Sequence, residues 1–242
     1  SWGEFEALRL AVESHALHRL SPPERPSMQA ETTWRCALKA AQAQPAQLLA
    51  IAQLAEGWGY EADAADAWWA IANSNANAAT ALSALQRQYK AKGDTRGLLR
   101  VAKRALELNP GDLVAANNYA SFGLLLNADS TARRLASKLH DEHPANRAFA
   151  TTYAYALHTE GKSAEALQLM EKMKEEELRY PDIAAYYVIM LVDSGNIELA
   201  RSYLVHAKRA ALLPEEQQLL AAATRKLVAS ETDDLAKGVA KK

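Results

Sequence analysis

The chain has 242 residues and an almost balanced charge, with 28 lysines and arginines against 29 aspartates and glutamates. This balance offers no basic face of the kind that nucleic-acid binding normally requires. The single cysteine, Cys36, excludes internal disulfides and a multi-cysteine zinc site. No apolar run approaches the roughly 18 to 20 residues that span a bilayer. We recognise no signal peptide, but a start at Ser1 is compatible with a piece excised from a longer protein, so cytoplasmic and periplasmic locations both stay open.

The composition predicts an all-α protein. Apolar residues make up 49% of the chain and aromatic residues only 7%, and alanine supplies much of the remainder. A chain rich in alanine and poor in glycine and proline favours helix. We find no convincing run of alternating β-branched residues that would predict a strand.

The first predicted elements are two helices, over about residues 5–20 and 27–43, separated by a proline-rich loop at 21–26. His15 and His18 lie three residues apart in the first helix, and His18 falls at a packing position, which favours a half-buried role over metal binding. Trp34 aligns with Trp68 of the next unit. Residues 1–44 are therefore interpreted as a degenerate N-terminal repeat or cap.

A fixed period of 34 residues begins after this cap. Glycine recurs at positions 59, 93, 161 and 195, and Asn127 takes the place of the missing member. Both residue types tolerate the left-handed backbone that ends a helix. A constant period of this length is typical of a stacked repeat protein. We expect five helix–turn–helix units, at 45–78, 79–112, 113–146, 147–180 and 181–214.

Aligned columns indicate how the helices pack. The seventh position is large in every unit: Ile51, Leu85, Tyr119, Tyr153 and Tyr187. The eighth is mostly small: Ala52, Gln86, Ala120, Ala154 and Val188. The twentieth is also mostly small: Ala64, Leu98, Ala132, Ala166 and Ala200. Small residues allow close approach of paired helices, so these columns are expected to be buried.

The last predicted element is a capping helix. Pro214 favours a helix start, because proline suits the first turn, and this helix is expected to end near Ser230. The segment 215–242 is thus read as a C-terminal capping helix followed by a polar tail, 231–242, that frays.

On these residues the chain resembles the tetratricopeptide repeat family. That family's large seventh residue, small eighth and twentieth residues, glycine at fifteen and proline at thirty-two recur over about 45–214, the last as Pro110 and Pro144. The family's tryptophan at position four is absent. The resemblance implies a right-handed α-solenoid of stacked antiparallel helix pairs, with a concave surface lined by the first helices.

Signals for catalysis or metal binding are weak. No phosphate-binding glycine loop, zinc-protease signature or nucleophile elbow is present. The cluster at 140–143, with His140 and His143 around two carboxylates, lies at a predicted helix end and is interpreted as structural or solvated rather than metal-binding. Trp68 is expected to pack in the core and Trp58 to be partly exposed. The acidic run 175–177 is read as a solvated helix face. No metal or cofactor is predicted.

The resemblance also implies which residues face a partner. The positions that line the concave groove in the family carry amides, hydroxyls and tyrosines here, which suit a peptide backbone and flat apolar contact. The candidate partner-binding residues are Arg87, Asn117, Asn118, Ser121, Thr151, Thr152, Tyr155, His158, Tyr186 and Ile189.

Two functions follow as hypotheses. The first is a non-catalytic scaffold that binds a peptide or segment of a protein partner on the concave face, with neither nucleic-acid binding nor direct membrane insertion. The second is a structural spacer or self-associating domain of a larger multidomain protein. The carboxylate clamp that some family members use is not expected, because Ala148 and Thr152 stand where cations should be.

Overall fold

The computed structural model describes residues 5–21, 27–42, 44–74, 76–127 and 130–239, with the backbone alone for 231–239. Every regular element in these ranges is a helix, which confirms the predicted all-α class. None of these helices combines the length and apolar character that a bilayer crossing demands. The chain divides into two compact units, residues 1–92 and 93–242.

The described part of the first unit forms five helices: α1 Glu6–Leu20, α2 Met28–Ala41, α3 Pro45–Gly57, α4 Glu61–Ser74 and α5 Ala78–Lys92. They pack mainly as consecutive neighbours, α1 on α2, α3 on α4 and α4 on α5. The Ser27 hydroxyl caps α2 by accepting a hydrogen bond from the Ala30 amide. The two N-terminal helices therefore form where the sequence predicted them, whereas residues 22–26 of the proline-rich loop lie outside the described residues.

The described part of the second unit forms nine helices: α6 Thr95–Leu108, α7 Leu113–Leu125, α8 Ser130–Glu142, α9 Arg147–Thr159, α10 Ser163–Met170, α11 Glu175–Leu178, α12 Pro181–Asp193, α13 Ile197–Ala207 and α14 Pro214–Val239. Neighbours pack as hairpins, α7 with α8, α9 with α10 and α12 with α13. The helices α7, α9 and α12 also contact one another in sequence, and α14 packs on α12. Asp112 and Asn146 cap α7 and α9 through side-chain oxygens.

The periodic turn residues adopt the left-handed backbone that their spacing predicted. The φ angles are 78° at Gly59, 65° at Gly93, 48° at Asn127, 79° at Gly161 and 78° at Gly195. This confirms that Asn127 replaces a glycine in both sequence and conformation. Asn77, just before α5, also has a positive φ of 59°, which the period did not predict.

The expected packing columns are largely buried. The whole twentieth column, from Ala64 to Ala200, is at most 3% exposed. In the eighth column Gln86 is exposed, while the other four members are fully buried. Trp34 and Trp68 are buried as well, and Trp58 is partly exposed, as expected. Alanine at these contacts lets helix backbones approach closely, since there is little side-chain volume between them.

Two predicted helices have different lengths in the structure. The fourth unit, 147–180, was expected to be a single helix–turn–helix, but α10 ends at Met170 and a separate short helix, α11, begins at Glu175. Three successive carboxylates at 175–177 stabilise the positive N-terminal end of a helix better than its C-terminal end, which favours a new start here. The last helix, α14, continues past Ser230 to Val239.

Candidate functional site

Nine of the ten predicted partner-binding residues lie on three helices of the second unit. They are Asn117, Asn118 and Ser121 on α7, Thr151, Thr152, Tyr155 and His158 on α9, and Tyr186 and Ile189 on α12. We call these nine residues the inner face. Because α9 contacts both α7 and α12, the nine positions lie on adjoining helices.

The tenth residue, Arg87, belongs to the first unit. It lies on α5, its side chain is exposed, and one guanidinium nitrogen lies 3.4 Å from Oε1 of Glu56 on α3. An exposed ion pair of this kind contributes little to stability. Arg87 is therefore accessible, and its part in binding stays a prediction.

Five residues of the inner face are buried: Thr151, Thr152, Tyr155, Tyr186 and Ile189. The two threonine hydroxyls donate to carbonyl oxygens one turn earlier in α9, Thr151 to Arg147 at 2.8 Å and Thr152 to Ala148 at 3.0 Å. Both hydroxyl hydrogens are thus already used in hydrogen bonds within α9. Sequence reasoning placed these residues on the correct helices but could not foresee how deeply they are buried.

Tyr155 and Tyr186 form the aromatic centre of the inner face. Their ring centroids are 5.0 Å apart, and the Tyr186 hydroxyl donates a 2.6 Å hydrogen bond to Oε1 of Glu216 on α14. Burial, reinforced by the Glu216 carboxylate, raises the pKa of Tyr155 to about 12 and that of Tyr186 well above its ordinary value. Ser121 and Tyr186 also share a side-chain hydrogen bond, which links α7 to α12. Both phenols are therefore neutral donors at physiological pH.

His158 lies between a hydroxyl and a carboxylate. Its Nδ1 is 3.1 Å from the Ser163 hydroxyl, and its Nε2 is 3.4 Å from Oδ2 of Asp193. Burial lowers the pKa of His158, Asp193 opposes that shift, and Lys226 adds to it. Nζ of Lys226 lies 2.5 Å from Oδ1 of Asp193 and so neutralises that carboxylate.

This arrangement differs from the triad of a serine hydrolase in two respects. In such a triad the serine faces Nε2 and the carboxylate faces Nδ1, whereas Ser163 and Asp193 have exchanged those places. The carboxylate is also paired with Lys226, which weakens its ability to stabilise an imidazolium. The residues connect α9, α10, α12 and α14, and so serve as a cross-link between helices.

The α7 edge of the inner face is more open. Asn117, Asn118 and Ser121 are half-buried, and Oδ1 of Asn117 is inaccessible to solvent yet has no hydrogen-bond partner. Leaving such an acceptor unpaired costs about 1–3 kcal/mol. Asn117 and Ser121 are one helical turn apart and share a face of α7.

Two polar contributors to this region, Glu216 and Lys226, were missed by the sequence analysis. Both lie on α14. The first turn of α14 also contacts α6, because Thr95 donates a hydrogen bond to Glu215. Gly93, just before α6, lies so close to the Pro214 ring that an added Cβ would be 3.0 Å from it. Extending the 34-residue period by one more unit would have aligned α14 with the first helices of the other units. That alignment is the sequence signal that could have predicted the contribution of α14 to this region.

A second polar cluster lies in the first unit and was also unforeseen. His15 stacks on Trp58 with centroids 4.2 Å apart, and its Nδ1 is 3.1 Å from the Tyr60 hydroxyl. Nε2 of His18 lies 3.4 Å from Oδ2 of Asp63, a carboxyl whose pKa is raised by burial and held back by His18. His18 is half-buried as expected, and the cluster connects α1 to the α3–α4 hairpin.

The other histidine pair does not converge on further ligands. His140 stacks on Tyr153 at 5.4 Å, and the exposed His143 meets the edge of Phe149 at 5.9 Å. In the described part of the chain, no three histidine, cysteine or carboxylate side chains come together as a metal site would require.

Known proteins show the same architecture. The fold is similar to the crystal structure of a tetratricopeptide repeat protein from Parabacteroides merdae ATCC 43184, with a TM-score of 0.51 and 17% sequence identity, covering 91% of this chain and 85% of that chain. At this identity the likeness shows the fold, and it supports the expected tetratricopeptide-like helical repeats. No protein-family model and no curated protein matches the sequence.

Proposed function

We propose that this chain is a non-catalytic protein-interaction scaffold, and that the inner face of its second unit holds a peptide segment of a partner. The observation that supports this best is Oδ1 of Asn117, a buried acceptor without a hydrogen-bond partner. Because this oxygen is inaccessible to solvent, the half-buried Asn117 amide has to rotate on binding, and a backbone N–H of an extended peptide then satisfies it. Hydrogen bonds to the backbone give affinity for a peptide that does not depend on its sequence.

The accessible part of the inner face defines how a partner would lie. Asn117, Asn118 and Ser121 on α7 and His158 on α9 are half-buried, so a segment can contact these side chains from solvent. Tyr155 and Tyr186 lie beneath, already packed on each other and bonded to α14. The partner therefore contacts the amides of Asn117 and Asn118 and the imidazole of His158 first, and the packed pair of tyrosine rings lies beneath these side chains.

Quantitative affinity capture from native lysate tests this. Asn118→Arg places a long cation on the half-buried edge and should abolish recovery of the partner. Lys138→Glu, at an exposed site on α8, is the matched control and should leave recovery unchanged. Arg87→Ala in the same assay tests the predicted role of the first unit. If Asn118→Arg retains full capture while keeping native helicity by circular dichroism, the inner face is not the binding surface.

A second candidate function, self-association, is favoured by exposed apolar side chains in the first unit. Phe5, Val12, Leu20 and Met28 are 65%, 54%, 83% and 82% exposed. Three of these residues lie on α1 or directly before it, and exposed apolar side chains on one element can serve as an interface with another chain. Sedimentation velocity over a range of concentrations should reveal an oligomer that Val12→Lys with Leu20→Lys dissociates. A monomer at every concentration eliminates this function.

A further inference from the structure

A groove, the α13–α14 groove, lies in the second unit between α14 and the C-terminal end of α13 with the loop that follows it, apart from the inner face. Its volume is about 440 Å3, and its floor and walls include Ala207, Leu212, Leu220 and Ala221. Polar and charged side chains stand among these, with Lys208 on the α13 side and Arg225 on the α14 side. The groove is thus apolar at its centre and cationic at its rim.

The α14 side of this groove is a continuous helical stripe. Gln217, Leu220, Ala221, Thr224 and Arg225 follow one another at alternating spacings of three residues and one residue, which places them on one side of the helix. Val228 continues the stripe by one step and is 55% exposed. At 1.5 Å per residue, the distance from 217 to 228 is about 16 Å, or three helical turns.

The geometry of the unit favours a helix as the occupant. Each of α7, α9 and α12 is covered by the helix that follows it, α8, α10 and α13. Within the described residues, α14 is followed by no such helix. Small residues such as Ala207, Ala210 and Ala221 line the groove, and they allow a helix backbone to approach closely.

The charges favour an acidic occupant. Lys208 and Arg225 are exposed, and among the residues whose side chains are described neither forms an ion pair with a carboxylate. Arg209, also exposed, follows Lys208 directly. Those lining residues of the groove that the structure describes include no aspartate or glutamate. A bound segment with carboxylates beside its apolar stripe would pair with these cations, whereas a basic segment would be repelled.

We infer that the α13–α14 groove is a docking site for an acidic amphipathic helix of a partner protein, about three turns long. Its apolar side chains lie on Leu220, Ala221 and Val228, and its flanking carboxylates face Lys208 and Arg225. This surface shares no lining residue with the inner face.

The test uses two synthetic helical peptides labelled with fluorescein. Both carry leucines at helical spacing, one flanked by glutamates and the other by lysines. Fluorescence anisotropy with the full chain should show saturable binding of the glutamate peptide only. The double variant Lys208→Glu with Arg225→Glu should weaken that binding by at least about fivefold, as the loss of exposed ion pairs predicts, and should acquire binding of the lysine peptide.

Two further variants complete the experiment. Ala221→Trp fills the groove at an exposed position and should remove binding of the glutamate peptide. Lys103→Glu with Arg134→Glu makes the same change of net charge at exposed sites on α6 and α8, and it should leave binding intact. Asn118→Arg should also leave it intact, which separates this site from the proposed function.

The inference is overturned if the glutamate peptide shows no saturable binding at millimolar concentration, or if binding is indifferent to the charge reversal. It is also overturned if sedimentation shows a dimer of the chain that Ala221→Trp dissociates, because a second copy would then be the occupant.

Discussion

The hydroxyl of Tyr186 on α12 donates a 2.6 Å hydrogen bond to Oε1 of Glu216, in the first turn of α14. The other oxygen of the same carboxylate accepts the amide hydrogen of Leu213 at 2.8 Å, just before the helix begins. One side chain therefore caps α14 and fastens it to α12. This relationship places the last helix against the inner face.

Removal of that hydroxyl should loosen α14. We expect Tyr186→Phe to lower the free energy of unfolding by about 1–2 kcal/mol, because a hydrogen bond to a charged acceptor is lost while the ring stays. Urea denaturation followed by circular dichroism measures this. Tyr180→Phe is the control, since Tyr180 is 48% exposed and contacts Arg147 through its ring. Equal losses in the two variants would show that the Tyr186–Glu216 bond contributes nothing specific.

Acid should destabilise the second unit through His158. Burial holds the pKa of His158 below 6.5 in the folded chain, so the folded state binds fewer protons than the unfolded state. The corresponding stability is complete above about pH 6.5 and is lost as the pH falls through the folded pKa. His140, whose pKa burial also lowers, adds to the same loss.

The substitution His158→Gln should therefore flatten the dependence of unfolding free energy on pH between about pH 7 and pH 5. Chemical denaturation at a series of pH values gives the slope. His143→Gln, at an exposed histidine, should leave the slope as it is. An unchanged slope in His158→Gln would assign the acid sensitivity to other groups.

Two glycines that are two residues apart should respond to alanine in opposite directions. Gly59 has a φ of 78°, so Gly59→Ala should destabilise the first unit by roughly 1–2 kcal/mol. Gly57 lies in α3 with open space around its missing Cβ, so Gly57→Ala should stabilise it by roughly 0.5–1 kcal/mol. Thermal unfolding of both variants decides the matter, and shifts of the same sign would refute the conformational argument.

A third glycine is limited by packing. A Cβ at Gly123 on α7 would lie 2.9 Å from the Cβ of Ala132 on α8, closer than real carbon atoms approach. We expect Gly123→Ala to cost about 1–3 kcal/mol, the usual penalty for overpacking a helix contact. Gly111→Ala is the control, because its nearest neighbour, Oδ1 of Asn109, would be at an ordinary 3.5 Å. Denaturant midpoints compare the two, and a neutral Gly123→Ala would mean that α7 and α8 can separate freely.

The candidate site was predictable only in part. The period placed Asn118, Thr152 and Tyr186 on successive first helices, because residues 34 apart occupy equivalent positions in a repeat. It could not foresee that Thr151 would bond to its own helix, since a threonine hydroxyl in a helix can turn either to solvent or to the preceding carbonyl. Partner binding by these residues stays a prediction.

What the sequence determined by itself is local and periodic. The left-handed turns at Gly59 and Asn127, and the buried alanines at positions such as Ala132, follow from backbone sterics and from the size of one side chain. The Glu216 carboxylate over Tyr186 and the pairing of Lys226 with Asp193 were decided only by the tertiary structure. Such contacts join residues about 30 positions apart. They depend on the angle at which each helix packs on the preceding helix. That angle results from many side-chain contacts together, so no single residue determines it.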